Sequence, residues 1–182
     1  MNILNQNYNM AHYKKLLNEI NTFVFDYDGV LTDGTIILMS EGEPLRTAHV
    51  KDGYAIQLAI KNGYKIVIIS GGKSKSMFNR FSALNITDVF LGVTNKIEVL
   101  DKYLENNDLE IENVLYMGDD IPDYEAMCKC GISACPADAA EEIKSISKYI
   151  SPLKGGEGCV RDIIEQVMKI QGKWMNNHAF KW

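Results

Sequence analysis

Long apolar runs are missing from this chain, and so is any excess of basic charge. No stretch of its 182 residues approaches the roughly 20 apolar residues a membrane-spanning helix needs, so no membrane partner is expected. Lys and Arg total 19 against 24 Asp and Glu, and no long basic run offsets the net charge of −5. That balance argues against a nucleic-acid or anionic-surface partner. Histidine and cysteine are scarce as well. His12, His49 and His178 lie far apart, with no ligand or triad spacing. Cys128, Cys130, Cys135 and Cys159 fit no common zinc pattern and read as small buried thiols. Met1 to Met10 is polar and Asn-rich and lacks the basic-then-apolar order of a secretory signal, which makes cytoplasm the expected compartment.

The composition is 46% hydrophobic and 24% charged, ordinary for one globular domain with a sizeable core. Short β-branched and aromatic runs read as strands: Thr22 to Phe25, Lys65 to Ile69, Val89 to Leu91, Val114 to Met117 and Ile132 to Ala134. Helical patterns alternate with them at Gly53 to Lys61, Lys73 to Leu84, Asn95 to Asn106, Asp123 to Lys129, Ala139 to Ile146 and Val160 to Ile170. A further helix, Met10 to Ile20, leads the chain. Thr35 to Met39 and Leu45 to Val50, joined through Glu41-Gly42-Glu43-Pro44, read as a hairpin flap. The alternation predicts an α/β fold, a doubly wound parallel sheet covered on both faces. The expected division is an extension over 1–21, one domain over 22–170 with its flap at about 35–50, and a polar, aromatic-tipped tail over 171–182 that packs on a neighbour.

In such sheets ligands gather outside the carboxyl ends of the strands, and the residues found there carry chemistry. The first strand ends in Asp26-Tyr27-Asp28-Gly29. Strand alternation sends the two carboxylates to opposite faces, and the turn at Gly29 can swing the second back over the strand end. One acid can then attack phosphorus while the other moves the proton. The second strand runs into Ser70-Gly71-Gly72, where a hydroxyl and a close-approaching Gly71 amide at a helix N-terminus suit phosphoryl oxygens. Lys96 offers a compact positive charge to the same oxygens. The Val114 strand runs into Gly118-Asp119-Asp120, followed by Asp123. Asp119 and Asp26 are hard ligands for Mg²⁺, with Asp120 and Asp123 in support. So many carboxylates beside a phosphate make the cation close to obligatory. Gly71-Gly72-Lys73-Ser74 looks like the end of a nucleotide-binding P-loop, but Val67 stands where that motif needs its first glycine.

In this order the motifs resemble the haloacid dehalogenase superfamily over roughly Thr22 to Ile170. Hairpin, helix and strand already fill the chain between Asp26 and Ser70, and one helix and one strand fill it from Ser70 to Lys96. No cap domain fits, so the chain resembles the capless members. Asp26 to Gly34, Val50-Lys51-Asp52-Gly53-Tyr54, Gly118 to Asp123 and Gly155-Gly156-Glu157-Gly158-Cys159-Val160-Arg161 are similar to the capless sugar-acid phosphatases. Those acting on 3-deoxy-D-manno-octulosonate 8-phosphate come first, and those acting on nonulosonate 9-phosphates are the alternative. The resemblance implies an aspartyl-phosphate on Asp26 and acid–base work by Asp28. It implies Mg²⁺ held by Asp26, the Asp28 backbone carbonyl and Asp119. It further implies a sugar-acid side formed by His49, Lys51, Asp52, Gly53 and Arg80, a homotetramer joined through the flaps, and a place in lipopolysaccharide precursor synthesis.

Two positions depart from the octulosonate pattern, Gly72 and Gln57, where arginines are frequent; Lys73 or Lys75 are the candidates to compensate. A receiver-type phosphoacceptor domain is a second class of reading. It also joins acids, a hydroxyl and a lysine, but it places its acids on different strands. A catalytically idle relative kept for assembly is a third.

Overall fold

The computed structural model describes residues 13–181. Six parallel strands form one sheet in the order β3-β2-β1-β4-β5-β6. They are β1 (Thr22–Phe25), β2 (Lys65–Ser70), β3 (Asp88–Leu91), β4 (Val114–Met117), β5 (Ile132–Cys135) and β6 (Tyr149–Ile150). β1 pairs with β2 on one side and β4 on the other, Phe25 lying level with Ile68 and Met117. The chain builds outward from β1 to β3, then returns to start β4 on the opposite flank. The strand order therefore switches between β1 and β4, where a parallel sheet opens a crevice at its carboxyl edge.

Alternation along the strands builds two cores. Phe23, Phe25, Ile68 and Met117 face one layer and Val24, Val67, Ile69 and Tyr116 the other. On the first face lie α1 (described part 13–19), α2 (Val50–Lys61), α3 (Lys75–Ala83) and α7 (Cys159–Ile170); on the second lie α4 (Lys96–Asn107), α5 (Tyr124–Lys129) and α6 (Glu141–Ile146). Burial of Ile163, Ile164, Val167 and Met168 on one face of α7, against α2, accounts for the helical spacing of that segment.

Several boundaries differ from expectation for local reasons. Ser74 accepts from the Met77 amide and caps α3, so the helix opens at Lys75 rather than Lys73. Val50 begins α2 instead of ending a strand. β6 is two residues long, too short for any sequence period to mark it. The flap is not a ladder of two strands. It is a loop closed by one antiparallel bridge, Ile37 to Leu45, with exchanged backbone hydrogen bonds of 3.0 and 3.1 Å. The apolar run of the flap, expected where flaps join between subunits, is exposed on this single chain, Leu38 being 79% exposed. Met10 to His12 of the leading helix lie outside the described residues.

The flanking segments pack onto the body of the chain. Leu17 and Ile20 sit in the first core. Trp174, expected in an arm reaching for a neighbour, is instead buried beside this chain's own Tyr54, edge to face at 6.4 Å, with the Arg161 guanidinium 5.1 Å above its ring. Tyr54 also donates to the Ala179 carbonyl, and the Lys61 ammonium to that of Lys181 at 2.7 Å. Trp182 lies outside the described residues. Trp174→Ala should cost about 3–5 kcal/mol in urea unfolding; a loss below about 0.5 kcal/mol would mean the tail is not docked.

Candidate active site

Asp26 follows β1 directly and is 8% exposed. Its Oδ1 accepts from the Tyr27 amide at 2.6 Å, and its Oδ2 meets the Lys96 ammonium at 2.7 Å. Lys96 is the first residue of α4, whose N-cap Asn95 accepts from the Glu98 amide. Buried to 5% exposure, it reaches Asp123 Oδ1 at 2.7 Å as well. Asp123 is fully buried, and its Oδ1 also accepts from the Tyr116 hydroxyl at 2.8 Å. One ammonium thus joins the carboxylate after β1 to the carboxylate after β4.

Asp119 completes the cluster. Carboxylate oxygens of Asp26, Asp119 and Asp123 lie within 4.8 Å of one another. Asp119 Oδ1 and Asp123 Oδ2 are buried with no hydrogen-bond partner among the described residues. Burial, then the charges of Asp26 and Asp123, push the Asp119 carboxyl up to about 7. Burial and then Asp123 raise Asp26 too, with Lys96 pulling the other way. For Lys96, burial works against the charge, but Asp123 and Asp26 outweigh it and hold the ammonium above the ordinary lysine value. Three carboxylates around one cation, with two orphaned oxygens, fit a small hard divalent ion that takes oxygen ligands. The unpartnered oxygens are Asp119 Oδ1 and Asp123 Oδ2, and each Asp26 oxygen, already accepting one contact, keeps a second lone pair for such an ion.

Asp26, Lys96 and Asp119 line a cleft of about 420 Å³ together with Asp28, Ser70, Gly71 and Asp120. Lys96 is the only cation among the described residues lining it. Ser70, the last residue of β2, is 1% exposed and accepts from the Gly72 amide at 3.1 Å. Four residues, 71–74, separate it from α3, so the Gly71 amide does not stand at a helix N-terminus as expected. Asp120 accepts from the Ile121 amide at 2.8 Å and opens a short 3₁₀ turn that carries Asp123 back toward Lys96. Lys73 and Lys75 are absent from the cleft lining.

Two glycines allow this assembly. Gly29 has φ +85°, and a Cβ there would collide with the Asp119 carboxylate. Gly155 lies so close to the Gly29 carbonyl that it too has no room for a side chain, and the Gly156 amide donates to Val30 O at 3.0 Å. The Gly-rich loop is therefore a brace behind the turn bearing Asp26 and Asp28.

The residues expected on the sugar-acid side do not line this cleft. His49, Asp52, Gly53 and Arg80 border a small separate cavity beside Tyr27 and Phe81, while His49 and Lys51 open onto a groove with Glu157 and Arg161. Asp52 is 1% exposed and accepts from the Arg161 amide at 2.7 Å, tying α2 to the start of α7. Gly53 makes room for Arg80, whose Nη2 would lie 2.6 Å from a Cβ there. Gln57 donates to the Ala83 carbonyl at 3.3 Å, on the α2–α3 contact. Two site residues carry no signal in the sequence. Tyr116 looks like any core aromatic of a strand. Arg46 is a lone basic residue in the flap, yet it grips Asp28 with Nε at 2.6 Å and Nη2 at 3.0 Å.

Comparison with known proteins agrees with this geometry. The family model of haloacid dehalogenase-like hydrolases matches residues 81–163, a span that includes Lys96, Asp119 and Asp123. The 3-deoxy-D-manno-octulosonate 8-phosphate phosphatase of Escherichia coli K12 is 36% identical over 154 residues, 85% of this chain and 82% of that one. Its counterpart in Salmonella typhi is 35% identical over 90% of this chain and 87% of its own length. The crystal structure of the Moraxella catarrhalis phosphatase, in complex with magnesium ion, phosphate ion and the sugar acid KDO, superposes with a TM-score of 0.87 at 31% identity. It covers 90% of this chain and 94% of that one. This chain belongs to the haloacid dehalogenase-like hydrolases. Within them it is similar to the 3-deoxy-D-manno-octulosonate 8-phosphate phosphatases, with the same capless α/β sheet, and the receiver-type reading falls away.

The raised carboxyl groups have a measurable consequence. Between about pH 4 and pH 7 the folded, metal-free protein holds protons on Asp26 and Asp119 that the unfolded chain has released, so stability falls as pH rises through that window. Urea unfolding without metal should give a higher midpoint at about pH 5 than at about pH 8. Mg²⁺ should restore the loss at the higher pH and do little at the lower, because it binds the deprotonated cluster. An equal Mg²⁺ effect at both would contradict the assignment.

Proposed function

We propose that this chain is a Mg²⁺-dependent phosphomonoesterase that hydrolyses 3-deoxy-D-manno-octulosonate 8-phosphate through an aspartyl-phosphate on Asp26. The observation that carries it is the Asp26 carboxylate. It is buried at the cleft floor, pinned by Lys96, and faces the orphaned oxygen of Asp119 across the strand-order switch. An Asp26 oxygen attacks phosphorus, and the bond from phosphorus to the sugar oxygen breaks. Asp28 gives its proton to that oxygen, then takes one from the water that attacks the aspartyl-phosphate, returning the electron pair of the breaking bond to Asp26. Ser70 and Lys96 hold the phosphoryl oxygens. Asp26, Asp119 and the Asp28 backbone carbonyl would hold the Mg²⁺, which offsets the charge of cluster and phosphate. Asp123 orients Lys96, and Asp120 opens the turn that brings Asp123 to it.

The catalytic unit is assigned to 22–170. His49, Lys51, Asp52, Gly53 and Arg80 are assigned to the sugar-acid side, with Arg80 as its cation and Asp52 fixing the backbone that presents it. The exposed Ile36, Ile37, Leu38 and Met39 support association of flaps in a homotetramer. The family supports a cytoplasmic role in lipopolysaccharide precursor synthesis; among the described residues no helix is long and apolar enough to cross a membrane.

Phosphate release should be strongest on octulosonate 8-phosphate, weaker on nonulosonate 9-phosphates and hexose phosphates, and abolished by chelator. Asp26→Asn should lower kcat by about 10³-fold or more. A nonulosonate preference would keep the mechanism and change the substrate, while full activity in Asp26→Asn would refute the mechanism. Light scattering should find a tetramer; a clean monomer would contradict the flap interface.

A further inference from the structure

The flap does more than stand beside the cleft. Arg46 pairs its fork with both oxygens of Asp28, Nε with Oδ1 and Nη2 with Oδ2. Such a two-pronged contact fixes the plane of a carboxylate as well as its place, which a lysine ammonium does not do. The Arg46 side chain is only 10% exposed, and its Nη1 is buried without an acceptor among the described residues. Native folds rarely bury a donor and leave it unpaired, so flap stability alone does not account for this guanidinium.

The flap holds Arg46 from a second point. Three residues earlier, both carboxylate oxygens of Glu43 accept from the Lys75 amide, at 3.0 and 2.9 Å, and Oε2 accepts from the Ser76 amide at 3.4 Å. These are unspent N–H groups at the start of α3, where negative charge is favoured. Between the two anchors the Ile37–Leu45 bridge closes the loop. Gly72 keeps the approach open: a Cβ there would lie 3.0 Å from Asp28 Oδ2, the oxygen that Nη2 grips. A side chain at 72 would compete with Arg46 for that carboxylate.

In this grip both Asp28 oxygens accept hydrogen bonds. That arrangement suits taking a proton from water, whereas giving one to the sugar requires an oxygen that carries hydrogen. We propose that Arg46 is a positioning residue for the second half of the reaction, aligning Asp28 to deprotonate the water that hydrolyses the aspartyl-phosphate. Water oxygen bonds to phosphorus, the bond to the Asp26 oxygen breaks with its electrons returning to that carboxylate, and the water proton passes to Asp28. The assignment rests on the reading of Asp28 as the acid–base group.

The two halves separate in kinetics. kcat/KM reports formation of the aspartyl-phosphate, whereas slowing its hydrolysis lowers kcat and KM together. With octulosonate 8-phosphate, Arg46→Ala should lower kcat and KM in parallel, by about tenfold, and leave kcat/KM unchanged or higher. A rapid-quench trace should show a burst of free sugar equal to the enzyme concentration, which also shows that the variant is folded. Arg46→Lys should recover only part of the loss. An unchanged kcat, or a fall in kcat at constant KM, would overturn the proposal. Asp28→Asn separates this from the parent reading, because loss of the acid should depress kcat/KM as well. If Asp28→Asn leaves both constants unchanged, the acid–base reading fails and the proposal with it. If Asp28→Asn is impaired while Arg46→Ala is not, only the Arg46 assignment fails.

Discussion

One buried ammonium organises this site. Lys96 sits between Asp26 and Asp123 at 2.7 Å from each, joining the two strands that flank the switch in strand order. Without it, three carboxylates would face one another in a poorly solvated floor, where burial and mutual repulsion already drive two of them toward the protonated form. Lys96 offsets one charge and aims Asp26; the rest of the imbalance is the opening for a divalent ion. Removing the ammonium would leave buried, uncompensated charge, a far larger penalty than losing a surface pair.

The remaining architecture serves that arrangement. Parallel pairing sets the ends of β1, β2 and β4 side by side, so that Asp26, Ser70 and Asp119 emerge at one edge. Asn95 caps α4 just ahead of Lys96, and the 3₁₀ turn opened by Asp120 returns Asp123 beneath it. The Gly-rich loop closes behind Gly29 and keeps the Asp26–Asp28 turn from spreading. The flap meets Asp28 from the far side through Arg46. Rigid elements therefore carry Asp26, the proposed nucleophile, and its lysine, while a loop tied at a few points reaches Asp28, the proposed acid–base group. That division suits a site where one group must stay fixed and another changes protonation twice in each cycle.

The gathering of acids, hydroxyl and lysine at one sheet edge was legible in the sequence because parallel strands are continuous apolar runs and their polar ends stand out. Asp26, Ser70, Lys96 and Asp119 each follow or adjoin such a run, and the sheet brings all four together. The flap was legible as a turn but not as a single-bridge loop, since Ile36 to Met39 have the apolar character of a strand with no partner of matching length. Arg46 and Tyr116 were invisible for opposite reasons: one has no pattern around it, and the other has the pattern of a core residue. Trp174 misled because a polar, aromatic tail gives no sign of what it packs on; the pocket between Tyr54 and Arg161 forms only when α2 meets α7.

Asp26, held by Lys96, is the proposed nucleophile that receives the phosphoryl group. Acid quenching within the first turnover, followed by peptide mapping by mass spectrometry, tests this most directly. A phosphoryl group is expected on the peptide containing Asp26, formed only when Mg²⁺ is present. Phosphate recovered on a peptide containing Asp119 or Asp123, or labelling of Asp26 at full rate in a Lys96→Met variant, would contradict it.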